Sequence, residues 1–69
     1  MQRDLPKQLQ DKVAEMPEYS YGVHRVIAIL DDGTKVYDVF IGWAKEIVKV
    51  GISEQVPFDP ARIIDVQRQ

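Results

Sequence analysis

Apolar residues recur at helical spacing near the start of the chain. Leu5, Leu9, Val13 and Met16 stand at i, i+4, i+8 and i+11, one stripe on one helix face. Asp4 occupies an N-cap position, and Pro6 falls in the first turn, where its missing N–H does no harm. Glu15 and Pro17 close the segment, so the spacing predicts a helix from about Leu5 to Glu15. A helix this short is unstable alone, and its stripe has to pack on something.

From Tyr21 onward the pattern is that of strands. Val23 to Leu30 is rich in β-branched residues and apolar on both faces in its second half, as in a strand that enters a barrel interior or is covered on its second face. Asp31-Asp32-Gly33-Thr34 is a turn signal, with Gly33 supplying a positive φ. Lys35 to Ile41 then places Tyr37, Val39 and Ile41 on one face and Val36, Asp38 and Phe40 on the other. Gly42-Trp43-Ala44 reads as a bend. A third strand runs from about Glu46 to Val50, ended by Gly51, and a weaker fourth from Ile52 to Val56. Pro57 to Arg62 is a tight turn in which Pro60 starts a 3₁₀ turn. Ile63 to Val66 is the last strand, and Gln67-Arg68-Gln69 a polar tail.

The plan is mostly β: one N-terminal α-helix, about 5–15, then five short antiparallel strands within about 22–66, forming one domain over 1–69. Five short strands are too few for a two-sheet sandwich. They can close into a small, strongly bent barrel with the helix across one open end.

Size and charge modify this picture. A chain of 69 residues buries only roughly 60% of its unfolded surface, so assembly is a natural source of stability. Nine Lys and Arg against eleven Asp and Glu give a formal net charge of −2, without the basic excess usual for a nucleic-acid-binding domain. A ring or groove can still concentrate a few positive charges. With no cysteine there is no disulfide, thiol chemistry or thiolate metal site, and His24 alone makes no histidine cluster. No loop has calcium-ligand spacing, and no glycine loop cradles phosphate. No metal or cofactor is expected. Apolar runs fall far short of the ~18 residues of a membrane span, and no export pattern opens the chain, so a cytoplasmic location is expected.

The segment Ile27-x-Ile29-Leu30-Asp31-Asp32-Gly33, with Phe40 seven residues beyond Gly33 and Ile63-x-x-Val66 after a short turn, resembles the two motifs of the Sm-like (LSm) family. Helix followed by five strands is that family's plan, and the resemblance runs from about Leu5 to Val66. Asp38 stands where the family has a second glycine. Its base-reading Asp and Asn fall at Ala44 and Val48, and its Arg-Gly pair at Asp59-Pro60. The resemblance implies a homo-oligomeric ring of about five to seven subunits, strand four pairing with strand five of the neighbour. It also implies single-stranded RNA as ligand.

Trp43, Lys45 and Arg62 are the candidate nucleic-acid-binding residues. An aromatic beside a cation can stack on a base and hold its phosphate, and Arg62 lies in the other loop that faces the pore in such rings. Against this, Trp43 can pack in the core or a subunit contact, and Arg62 can be a structural ion pair neutralised by Asp59. His24 reads as a half-exposed strand histidine or a nucleic-acid contact. Tyr19 and Tyr21 seal the junction of helix and barrel or present faces to a ligand. Gln8 and Gln10 are solvated or touch RNA.

Ser20 and Ser53 lack the context of a nucleophile, and Asp31-Asp32 is explained by its turn, so no enzymatic activity is expected. Two functions remain: an RNA-binding Sm-like ring, or a structural or protein-interaction barrel that binds no nucleic acid.

Overall fold

The computed structural model describes residues 3–69. Helix α1 spans Lys7–Ala14 and buries Leu9 and Val13, with Leu5 buried just before it. It starts later than the spacing predicts. Leu5 precedes a proline and is held extended, its N–H donating to the Lys45 carbonyl (2.9 Å). Asp4 is not the cap: Pro6 occupies the N-cap, and Asp4 forms an antiparallel bridge with Glu46. The amides of Glu15 and Met16 close the C-terminal turn on the carbonyls of Lys12 and Val13.

Strands β1 (Val23–Leu30), β2 (Lys35–Gly42), β3 (Glu46–Val50) and β4 (Ile63–Arg68) form one antiparallel sheet in the order β3-β2-β1-β4. A 3₁₀ turn at Pro60–Arg62 leads into β4, capped by the Asp59 side chain, which accepts from the Ala61 N–H (3.0 Å). The expected barrel of five strands is therefore an open sheet of four among the described residues. The missing strand is Ile52–Val56. There the chain reverses at Gly51 (φ 61°), makes a single bridge between Val50 and Ser53, and leaves Ile52 fully exposed. Pro57 then removes a ladder donor.

The inner face of the sheet and α1 enclose the core. Val26, Ala28 and Leu30 of β1 meet Val39 and Ile41 of β2, Ile47 of β3, and Ile63 and Val66 of β4. In the second half of β1 only one face is deeply buried; Ile27 and Ile29 on the other are half-buried. Tyr37 does not share the face of Val39 and Ile41 as expected. The register of β2 on β1 shifts between Val26↔Val39 and Ala28↔Val36, with Asp38 in the left-handed region (φ 58°). This bulge re-aims the following side chains, leaving Tyr37 exposed.

His24 lies on the inner face opposite Ile41 and is 5% exposed, not half-exposed as its strand position suggests. Its Nε2 donates to the Met16 carbonyl (3.0 Å), tying the end of the helical segment to β1. Lys12 pairs with Asp65 (2.6 Å), tying α1 to β4. Among the described residues, no helix is long and apolar enough to cross a membrane, and no three His, Asp or Glu side chains gather as a ligand set.

Candidate nucleic-acid interface

The hairpin between β2 and β3 turns on two residues, Trp43 and Ala44, with φ of 55° and 59° and the Lys45 N–H donating to the Gly42 carbonyl (3.0 Å). Two consecutive positive φ angles are the signature of a type I′ turn, whose usual occupants are Asn and Gly. A side chain with a Cβ costs roughly 1–2 kcal/mol in that region. The chain carries that strain twice, and at the tip it presents a tryptophan 70% exposed.

Trp43 is nonetheless held in place. Its N–H donates to the Gly22 carbonyl (2.7 Å), and its six-membered ring lies over Gly22, where a Cβ would meet Cη2 at 2.8 Å. Tyr21, 87% exposed, stands nearly perpendicular to it, ring centroids 5.7 Å apart at 88°. The result is an aromatic corner open to solvent, with Lys45 exposed beside it and free of ion pairs among the described residues.

A second cluster adjoins the first on the outer face of the sheet. Arg25, Phe40 and Lys49 are cross-strand partners over β1, β2 and β3. Tyr19 meets Phe40 edge-on (5.6 Å), the Arg25 guanidinium lies 5.6 Å from the Tyr19 ring centre, and the Lys49 ammonium lies 4.7 Å from that of Phe40. Such cation–aromatic contacts fix the charged heads over the rings. Arg25 is further held by Asp38, to which its Nε donates (2.9 Å). The hydrogen bonds from Arg25 and then Gln69 keep the Asp38 carboxyl below its usual pKa of 3.8.

Arg62 is elsewhere. Trp43 follows the Val23↔Gly42 pair at one end of β1, whereas Arg62 precedes Ile63, opposite Leu30 at the other. These are opposite ends of an eight-residue strand, on the order of 20 Å apart. Arg62 donates from Nε to Asp31 (3.0 Å) and lies 3.2 Å from Asp32 through Nη2. Its carboxylate partners are thus in the β1–β2 turn, not Asp59. Asp31, and then Asp32, hold its guanidinium above its ordinary pKa. The structure brings Trp43 together with Tyr21, keeps Lys45 exposed at the end of the same turn, and leaves Arg62 outside that cluster.

Phe40, Lys49 and the platform residue Gly22 were not legible as site residues. Alternation assigns Phe40 and Arg25 to the outer face, but their adjacency depends on cross-strand register. Gln10 donates to the Leu5 carbonyl (2.8 Å), a local bond at the start of α1, and Gln8 is exposed. A hollow of about 390 Å³ near the helix start contains Asp4 and Asp59 among Leu5, Pro6, Pro60 and Ala61; two carboxylates and no cation do not suit an anionic strand.

In comparisons with known proteins, no family model, curated protein or solved structure matches this chain.

Proposed function

We propose that the protein binds single-stranded RNA, with a base stacked on Trp43 and the adjacent phosphate held by Lys45. The observation that carries this reading is the strained turn that holds Trp43 out of the core, its ring backed by Gly22 and flanked by Tyr21. A strained backbone at an exposed aromatic points to a ligand, since strain of this kind gathers at ligand clamps. Aromatic platforms beside cations suit unpaired bases, whose faces are open.

The Sm-like resemblance extends the reading to a homo-oligomeric ring. The outer edge of β4 has no strand partner among the described residues, which supports pairing between copies. Residues 52–56 would have to pair as a strand on assembly to supply the other edge. Arg62 joins such a site only by exchanging Asp31 and Asp32 for phosphate. Native mass spectrometry tests the ring: about five to seven copies is the expected species, and a monomer at all concentrations removes it.

Trp43 is the only tryptophan, so its fluorescence reports directly on the site. Oligouridylate at low salt is expected to quench it, with affinity falling as salt rises. Combined Trp43→Ala and Lys45→Ala, followed by anisotropy of labelled RNA, is expected to lose at least about tenfold in affinity. No quenching and no retention of RNA at low salt removes the reading.

A second reading has its own support. The formal net charge of −2, and the pairing of Lys12, Arg25 and Arg62 with aspartates, count against a polyanionic ligand. An exposed Trp–Tyr pair is also the chemistry of a protein-binding hot spot. Under this reading the aromatic corner docks a protein, and RNA produces no response.

A further inference from the structure

We propose that the hollow between Tyr19 and Arg68 is a second nucleotide subsite, taking the next base of the same single strand on the Tyr19 ring and its phosphate on Arg68. This rests on the single-strand reading above. The hollow, about 260 Å³, is lined by Pro17, Glu18, Tyr19, Arg25, Arg68 and Gln69. It is therefore built by the segment before β1, by β1, and by the end of β4, where Arg68 pairs with Val26.

Three features make it a site rather than a gap. Its aromatic wall is oriented: Tyr19 is 61% exposed, yet fixed edge-on against Phe40 with the Arg25 guanidinium nearby. Its first cation is anchored, because Asp38 accepts from Arg25 Nε, and Gln69 both donates to the Asp38 carboxylate (2.8 Å) and accepts from the Asp38 N–H (2.8 Å). Its second cation is available: Arg68 is exposed and makes no ion pair among the described residues. The one carboxylate in the lining, Glu18, is turned to the backbone, accepting from the Gly22 N–H (3.2 Å).

That last bond links the two sites. Glu18 holds Gly22, and Gly22 is the floor under Trp43. Phe40, against which Tyr19 leans, stands three residues before Trp43, and Tyr19 itself three residues before Gly22, so both aromatic groups lie toward the same end of the β1–β2 pair. One strand crossing this face meets Trp43 and then Tyr19.

Binding of labelled hexauridylate to the full chain tests the subsite, with Trp43 quenching followed in parallel. Tyr19→Ala is expected to weaken binding by about fivefold or more, while quenching of Trp43 at saturation stays as in the wild type. Tyr19→Phe keeps the ring and is expected to keep the affinity. Arg68→Gln is expected to make the slope of log affinity against log salt shallower by about 0.7, one phosphate contact on a single strand. Wild-type affinity and salt slope in Tyr19→Ala and Arg68→Gln, alongside loss in Trp43→Ala, overturn the second subsite and leave the first standing. A wild-type chain that ignores hexauridylate at low salt overturns both.

Discussion

The six-membered ring of Trp43 rests on Gly22, so closely that a methyl group at position 22 would stand 2.8 Å from Cη2. Gly22 also has φ of 72°, so the position requires glycine twice, for its backbone and for its lack of a side chain. Gly22→Ala is expected to lose about 1–2 kcal/mol in urea unfolding and to shift the Trp43 emission maximum. Unchanged emission would show that the ring does not depend on this floor.

The strain in the β2–β3 turn is expected to be recoverable. Ala44→Gly relieves a positive φ at the second central position of the turn and should stabilise the fold by about 0.5–1 kcal/mol, without affecting Trp43 quenching by RNA. A destabilised Ala44→Gly variant contradicts the account of the turn as strained.

The buried His24 side chain, donating to the carbonyl of Met16, links the inner face of β1 to the chain leaving α1. His24→Leu leaves that carbonyl without its partner and is expected to cost about 1–3 kcal/mol. Chemical denaturation measures the loss; a variant as stable as the wild type would mean that water satisfies the carbonyl equally well.

Asp32, Asp38 and Asp65 each have a carboxyl pKa lowered from 3.8 in the folded chain. The principal causes are hydrogen bonds from Thr34, Arg25 and Lys12 respectively. Because the folded values are depressed, these groups contribute stability that is fully present above about pH 4 and is lost as pH falls through their folded values. Thermal unfolding between pH 5 and about pH 2 is expected to show a decline that starts near pH 4, and Asp38→Asn is expected to flatten it. A decline of the same steepness in that variant would mean that other carboxylates carry the acid sensitivity.

Much of the fold is legible without coordinates. Leu9 and Val13 mark the helix face, the β-branched run marks β1, Gly33 marks its turn, and Pro60 marks the 3₁₀ turn. Ile52–Val56 misleads because alternation over so few residues is weak evidence for a strand. Gly51 and Pro57 at its borders favour a reversal instead. Tyr37 misleads because one left-handed residue, Asp38, breaks the period of two on which the face assignment rests.

The site divides along the same line. Trp43 and Lys45 are recognisable as an aromatic and a cation beside a predicted bend, since both belong to one turn and their proximity is local. Sequence determines such short-range features because hydrophobic period and turn chemistry act over a few residues. Only the tertiary structure sets Gly22 beneath Trp43, Tyr19 against Phe40, and Arg62 between Asp31 and Asp32 at the far end of β1. Those pairings follow from strand register and a bulge, which are decided by the packing of the whole inner face rather than by any one segment.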